Sequence, residues 1–299
     1  MTKIIILLLA ASACCRSQTA TVAVNPEADA YVWSEGPTNN YGGAGAIAIS
    51  GAAAVNETGQ QNGSYDSLIR FPMSNAVAVL DAALNTHDWL VQRATLSLTE
   101  LGAPPYPGFN RGVGAFEVRW IASGSWIEGT GIPKGPTMDG VAWNDLPSIL
   151  NAMTDVSLGQ FTNSGVDARL SFDLALKEPL LSAVRSATRV NLYLTAVNPQ
   201  IGFTAGARTF FDLAGFPSLV IVAAANPHPR IDMINSQGTN AVISFRTVSN
   251  WTYVVQGANG FSETWSNLLT VGAQSTNGHV LFTEPQSNEK RFYRLSVSP

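Results

Sequence analysis

Apolar and polar residues alternate with a period of two along most of this chain. In Asp29-Ala30-Tyr31-Val32-Trp33 the rings of Tyr31 and Trp33 fall on one face, and in Ala46-Ile47-Ala48-Ile49-Ser50 both isoleucines do. Ser67-Leu68-Ile69-Arg70-Phe71 ends at Pro72, and Ala94-Thr95-Leu96-Ser97-Leu98-Thr99 alternates without a break. Phe116, Val118 and Trp120 alternate with Glu117 and Arg119, and Leu170 and Phe172 with Ser171 and Asp173. Val190-Asn191-Leu192-Tyr193-Leu194 and Leu219-Val220-Ile221-Val222 complete the set. Successive side chains of a strand point to opposite faces, so each segment buries one face and solvates the other. Many such strands separated by turn residues predict two packed antiparallel sheets. Three helical stretches are expected between them: Asn75 to Leu84 with an N-cap at Ser74 or Asn75, Pro147 to Met153, and Leu174 to Ala187.

The pattern divides at Asn226-Pro227-His228-Pro229, where two prolines in three residues hold the backbone extended and remove two donors. The alternative is a proline-rich loop within one domain. A larger domain is therefore expected over 21–226 and a smaller β domain over 227–299. In the smaller one Val242–Arg246, Thr252–Gln256, His279–Phe282 and Arg291–Leu295 read as strands, and Asn259-Gly260 and Asn277-Gly278 as hairpin turns.

The first twenty residues change the picture of where the fold resides. Lys3, the apolar run Ile4 to Ala11, and the small residues before Ala20 have the layout of a secretory signal peptide, with cleavage expected after Ala20. The run is shorter than the roughly 20 apolar residues a membrane span needs, and no other stretch reaches that length, so no transmembrane segment is expected. The protein is expected outside the cell. An alternative is a lipid anchor on Cys14, from the weak box Ala11-Ser12-Ala13-Cys14. Cys14 and Cys15 are the two cysteines of the chain, so a mature form has neither disulfide nor thiolate metal site. Removing the leader moves the formal charge from −4 to −6, which argues against nucleic acid as a partner.

Several segments, in order, resemble the DNRLRE-domain proteins grouped with carbohydrate-binding module family 96. These are Asp29-Ala30-Tyr31-Val32, Thr38-Asn39-Asn40-Tyr41-Gly42-Gly43, Ser67-Leu68-Ile69-Arg70-Phe71, Ala94-Thr95-Leu96-Ser97-Leu98, Trp126-Ile127-Glu128-Gly129-Thr130, Val141-Ala142-Trp143-Asn144 with Pro147, and Pro217-Ser218-Leu219-Val220-Ile221. The likeness covers about residues 21–225. It departs in the long Gly/Ala/Asn stretch 51–64 and at Gly140, where the family has threonine. It implies an all-β, jelly-roll-type sandwich and attachment to polysaccharides or cell-surface glycans. The smaller domain resembles fibronectin-type or immunoglobulin-like modules, through Tyr253-Val254-Val255-Gln256, Trp265-Ser266-Asn267-Leu268, Phe282-Thr283-Glu284 and Arg291-Phe292-Tyr293-Arg294-Leu295. That resemblance implies a spacer or docking role.

The inventory of reactive groups favours binding over catalysis. His87, His228 and His279 are scattered and lack a zinc-helix spacing, and no nucleophile elbow, P-loop or dinucleotide motif occurs. Glu100, Glu117, Glu128, Asp139 and Asp145 are the carboxylates from which a glycosidase pair would come. Their bland reading is surface charge or turn capping. Sugar binding asks for exposed aromatic faces ringed by hydrogen-bonding groups. Tyr41 beside two glycines, Tyr65 after Asn62-Gly63-Ser64, and Tyr106 among Pro104, Pro105 and Pro107 are the expected exposed rings, whereas Trp120, Trp126 and Trp143 read as core or core edge. Asp29, near Asn39 and Asn40, is the candidate ligand for a structural calcium ion, with turn capping as its alternative. The expected function is thus non-catalytic carbohydrate binding. The alternatives are a structural or adhesive surface protein that meets other surface proteins, and a polysaccharide-degrading enzyme.

Overall fold

In the computed structural model, which describes residues 19–101, 110–237, 240–260, 262–285 and 291–298, the chain forms two compact units. The larger comprises Ala20–His87 and Val91–Ala223, the other Asp88–Leu90 and Ala224–Pro299. Both are built from antiparallel β-structure, and the fold is an all-β sandwich.

Eleven strands are joined in one hydrogen-bonded network: β1 (Thr19–Val24), β2 (Ala28–Trp33), β3 (Ala46–Ser50), β4 (Tyr65–Pro72), β5 (Trp89–Glu100), β6 (Ala115–Trp120), β7 (Val156–Thr162), β8 (Ala168–Leu174), β9 (Arg189–Ala196), β10 (Gly202–Gly206) and β11 (Ser218–Ala225). Their order is β1-β11-β5-β10-β3-β4-β9-β6-β7, with β2 also on β4 and β8 also on β5. Two junctions rest on a single residue pair each, Ser50↔Tyr65 between β3 and β4 and Ala205↔Glu100 between β10 and β5. There the ribbon turns a corner and lays its parts face to face. The core between them shows it: Phe116 of β6 meets Phe172 of β8 at 5.2 Å and Phe203 of β10 at 5.1 Å, while Phe161 of β7 meets Phe172 at 5.1 Å. Burial alternates along β6, where Phe116 and Val118 are buried and Glu117 and Arg119 are not, but β3 and β9 do not solvate their second face as expected: Ala48 and Tyr193 are buried as well, in the clusters that contain Tyr41 and Trp126.

Three helices close the strand ends: α1 (Ser74–Leu84), α2 (Leu146–Ile149) and α3 (Glu178–Arg185). All three expected stretches are present, the last two shorter than the pattern suggested. The expected side-chain cap of α1 is corrected. The N-cap is Met73, without a side-chain hydrogen bond, and the helix stops at Asn85, whose φ of 51° is a conformation that asparagine tolerates. Strands β1, β7 and β10 were not expected. Gly202-Phe203-Thr204-Ala205-Gly206 has too few branched residues to advertise a strand, yet all five residues are buried because β3 and β5 flank them. Because β1 starts at Thr19, cleavage after Ala20 would leave Thr21–Val24 to pair with β11.

The smaller unit contains β12 (Ile231–Gln237), β13 (Asn240–Thr247), β14 (Thr252–Ala258), β15 (Ser266–Val271), β16 (Gly278–Pro285) and β17 (Phe292–Ser298). They form two three-stranded sheets, β12-β13-β16 and β15-β14-β17. Ile243, Phe245, Trp251, Tyr253 and Val255 fill the space between them. Asn277-Gly278 is not the expected hairpin turn: β15 and β16 belong to different sheets, and the Asn277 side chain accepts from the Ser249 amide at 2.8 Å.

Candidate functional site

The register of three neighbouring strands defines one end of the larger unit. Pro72 pairs with Arg189 and Arg70 with Asn191 across β4 and β9, and Trp120 pairs with Leu192 across β6 and β9. At that end the chain leaves β4 for α1, leaves β6 for the connection 121–142, and enters β9 from α3. The three departures leave a cleft of about 800 Å³. Trp120 forms part of its wall, half-buried at the end of its strand. Exposed hydroxyl residues stand around it: Ser74 at the start of α1, Ser182 on α3, and Ser186 and Thr188 beyond α3. Glu27 and Arg189 close the rim as an ion pair, Nε to Oε1 at 2.5 Å.

Two polar atoms of the wall lack protein partners. One is the Trp120 Nε1–H, a donor, and the other Asn191 Oδ1, an acceptor on a side chain that is 5% exposed. Both atoms are shielded from solvent, so they are unpaired buried groups behind the wall, of a kind that folds seldom keep, and neither is presented to the cleft. The loop after α3 is a Schellman ending, with Thr188 N donating to Ala183 O and Ala187 N to Val184 O, each at 3.1 Å. It puts Ala187 at a φ of 54°, where glycine is the usual occupant. Ala187→Gly is expected to stabilise the larger unit by about 0.5–1 kcal/mol in urea unfolding, because relief of the left-handed strain exceeds the added chain entropy.

The connection 121–142 is anchored independently of the cleft. Asn40, fully buried, donates from Nδ2 to the carbonyls of Glu128 (2.6 Å) and Val141 (2.9 Å), and its Oδ1 accepts from Gly42 and Gly131 at 3.1 Å. Gly42 is required here, since a Cβ would lie 2.0 Å from the Glu128 carbonyl oxygen. The Trp126 ring packs under this connection with Val141, Leu146 and Tyr193, and Trp143 covers the same cluster half-buried.

The aromatic residues expected to be exposed are placed differently. Tyr41 and Tyr65 are each only 3% exposed. Tyr65 opens β4, and Tyr41 stacks on Tyr31 at 4.8 Å with an interplanar angle of 12°. Tyr65 stacks on Trp33 at 5.5 Å. Gly36 permits this close packing, since a Cβ there would lie 2.7 Å from the Tyr41 hydroxyl and 2.9 Å from the Trp33 ring. Tyr106 lies outside the described residues.

Asp29 is 1% exposed at the start of β2. Its Oδ2 accepts from the Arg208 amide at 2.8 Å, and its own amide donates to Glu128 Oε1 at 3.1 Å. The Arg208 guanidinium in turn grips both oxygens of Glu128, with Nε 2.7 Å from Oε1 and Nη2 on Oε2. The Arg208 guanidinium thus supplies positive charge to Glu128, while Asp29 Oδ1 has no partner among the described residues. No group of three or more His, Cys, Asp or Glu gathers among the described residues. Burial, with Glu128 nearby, pushes the Asp29 carboxyl up to about 7.

Glu100, Asp139 and Asp145 are engaged locally, and Glu117 lies half-buried in β6. Glu100 is buried and accepts from Asn163, Ser164 and Gly165. Asp139 accepts from Thr130 and Thr137, and Asp145 from the Ala142 amide. His87 pairs with Asp81 and His228 with Asp88.

Trp120 and Asn191 were missed in the sequence because both sit in strands that read as core. The available signals were the small run Ala122-Ser123-Gly124 that follows Trp120-Ile121, and one amide inside the apolar strand 190–194. No protein-family model matches this chain, and no curated protein is similar enough to count as a relative.

Proposed function

We propose that this is an exported, non-catalytic carbohydrate-binding protein whose ligand lies in the cleft beside Trp120. The observation that carries this reading is a half-buried indole in a cleft of about 800 Å³, surrounded by serine and threonine hydroxyls and one Glu–Arg pair. An indole face takes the apolar C–H side of a sugar ring, and the hydroxyl rim takes its edges. The likeness to the DNRLRE-domain proteins points the same way. So does the local engagement of Glu100, Glu128, Asp139 and Asp145, each of which holds neighbouring donors in place. In the smaller unit the first, second and fifth strands form one sheet and the fourth, third and sixth the other. This order favours reading it as a fibronectin-type spacer or docking module.

Affinity electrophoresis through gels cast with a panel of neutral and acidic polysaccharides tests the reading. At least one polymer is expected to retard the protein, and Trp120→Ala is expected to weaken that binding by at least tenfold, about 1.4 kcal/mol. Retardation by none of them, or an unchanged mobility shift in a folded Trp120→Ala protein, would remove its basis.

A further inference from the structure

A separate cleft, of about 290 Å³, lies at the opposite end of β4 and β9 from Trp120. Ser64 and Asp66 around the start of β4, Thr195 at the end of β9, Asn198 beyond it and Trp143 line it. Trp143 is half-buried there and packs against the cluster of Leu68, Trp126 and Tyr193. Small-ligand sites begin at roughly 300 Å³, so the cleft has room for one ring and not for a chain.

Asp66 is the unusual group of this cleft. It is 5% exposed. The Tyr193 hydroxyl donates to its Oδ2 at 2.5 Å, and the Thr195 hydroxyl and the Ala196 amide donate to it as well. A backbone amide can only donate, so the set suits an ionised carboxylate. No Lys, Arg or His forms an ion pair with Asp66 among the described residues. On β2 the residue opposite it is the apolar Val32. On β9 the titratable neighbour is Tyr193, whose own proton is held more tightly through burial and the charge of Asp66. Arg119 of β6 pairs across from Tyr193 and acts on that hydroxyl. Burial pushes the Asp66 carboxyl up to about 6, against the pull of its hydrogen bonds. Near pH 7 it is therefore a negative charge inside the fold, without a cation of the protein's own. Buried charges are ordinarily paired.

We infer that this cleft is a second binding site, for a ligand that brings its own cation: an ammonium group on a ring of amino-sugar size. The ammonium is drawn to Asp66, and the Trp143 indole meets the cation or the apolar side of the ring. Ser64, Thr195 and Asn198 offer hydrogen bonds to the hydroxyls of such a ring, and no lysine or arginine lines the cleft to repel the charge. The site stands independently of the one beside Trp120.

Amide chemical-shift titration of the full chain with the glucosamine disaccharide, against its N-acetylated counterpart, tests the inference. At pH 7 the amine form is expected to bind and to shift residues 50–52, 64–66, 143 and 195–199. Acetylation removes the charge and is expected to weaken binding at least tenfold. A move to pH 4.5, where the ammonium keeps its charge and Asp66 takes up a proton, is expected to do the same. Asp66→Asn, with its fold checked by urea unfolding, is expected to bind at least tenfold more weakly at pH 7 and to lose the pH dependence. Should that variant not fold, the acetylation and pH comparisons on the natural chain decide. Equal binding of the two disaccharides, an affinity unchanged at pH 4.5, or shifts centred on Trp120 would overturn the inference. Absence of binding by the amine form at pH 7 would overturn it as well and leave the cleft beside Trp120 to its own test.

Discussion

Replacing Glu100 by alanine is expected to destabilise the larger unit by about 3–5 kcal/mol, the range for removing one member of a buried charged network. Glu100 ends β5 and is 1% exposed. Its Oε1 accepts from Asn163 Nδ2 at 3.0 Å, and its Oε2 from the Ser164 amide and hydroxyl at 2.8 and 2.7 Å. The Gly165 amide adds 3.1 Å to Oε1, and Arg111 Nε stands 3.7 Å away. Alanine would leave these donors facing an apolar hole, and each orphaned donor costs about 1–3 kcal/mol. Glu100→Gln should recover part of the loss, since its carbonyl oxygen accepts from half of the set. Urea unfolding of the full chain, followed by a probe in the larger unit, measures this. A midpoint unchanged in Glu100→Ala would mean that the turn 163–165 is held by something else.

The second large effect depends on pH. The Asp29 carboxyl, ordinarily near 3.8, is raised to about 7 by burial, with a further push from Glu128 that Arg208 opposes. Between those two values the folded protein retains a proton that the unfolded chain has released. Stability therefore falls as pH rises from about 4 to about 7, and is constant with respect to this group below and above that window. At about 1.4 kcal/mol per unit the full penalty above pH 7 is on the order of 4 kcal/mol. Asp29→Asn keeps an acceptor for the Arg208 amide and removes the buried charge. It is expected to flatten the slope and to stabilise the protein at pH 8 by about 2–4 kcal/mol, with little change at pH 4. Denaturant unfolding across that range decides the matter. A loss of stability at pH 8 would show that the ionised carboxylate is needed beside Arg208.

Most strands were legible because alternation is a local property: Phe116-Glu117-Val118 and Leu170-Ser171-Phe172 reveal their buried faces without knowledge of their partners. What sequence could not show was where each strand stops relative to its neighbours. Trp120 alternates in step with Phe116 and Val118 and reads as core, yet the Pro72↔Arg189 and Trp120↔Leu192 register puts it at the open end of the sheet. Tyr41 and Tyr65 failed in the opposite sense. Neighbouring glycine and asparagine suggested loops at the surface, but rings from β2, β4 and the turn before β3 stack together. Asp29 reads in the sequence as a calcium ligand or a turn cap, and its bond to the Arg208 amide is invisible there because the two residues are 179 apart in the chain. Turn capping, the bland reading of the carboxylates, describes Glu100, Asp139 and Asp145 well.

The central claim is that a carbohydrate sits against Trp120, and backbone amide chemical shifts during titration with an oligosaccharide locate the contact most directly. The account predicts that the largest shifts fall on residues 73–74, 120–127 and 182–191, together with the Trp120 indole N–H. Shifts confined to the smaller unit, or centred on Tyr41 and Tyr65 with the Trp120 indole unmoved, would contradict it.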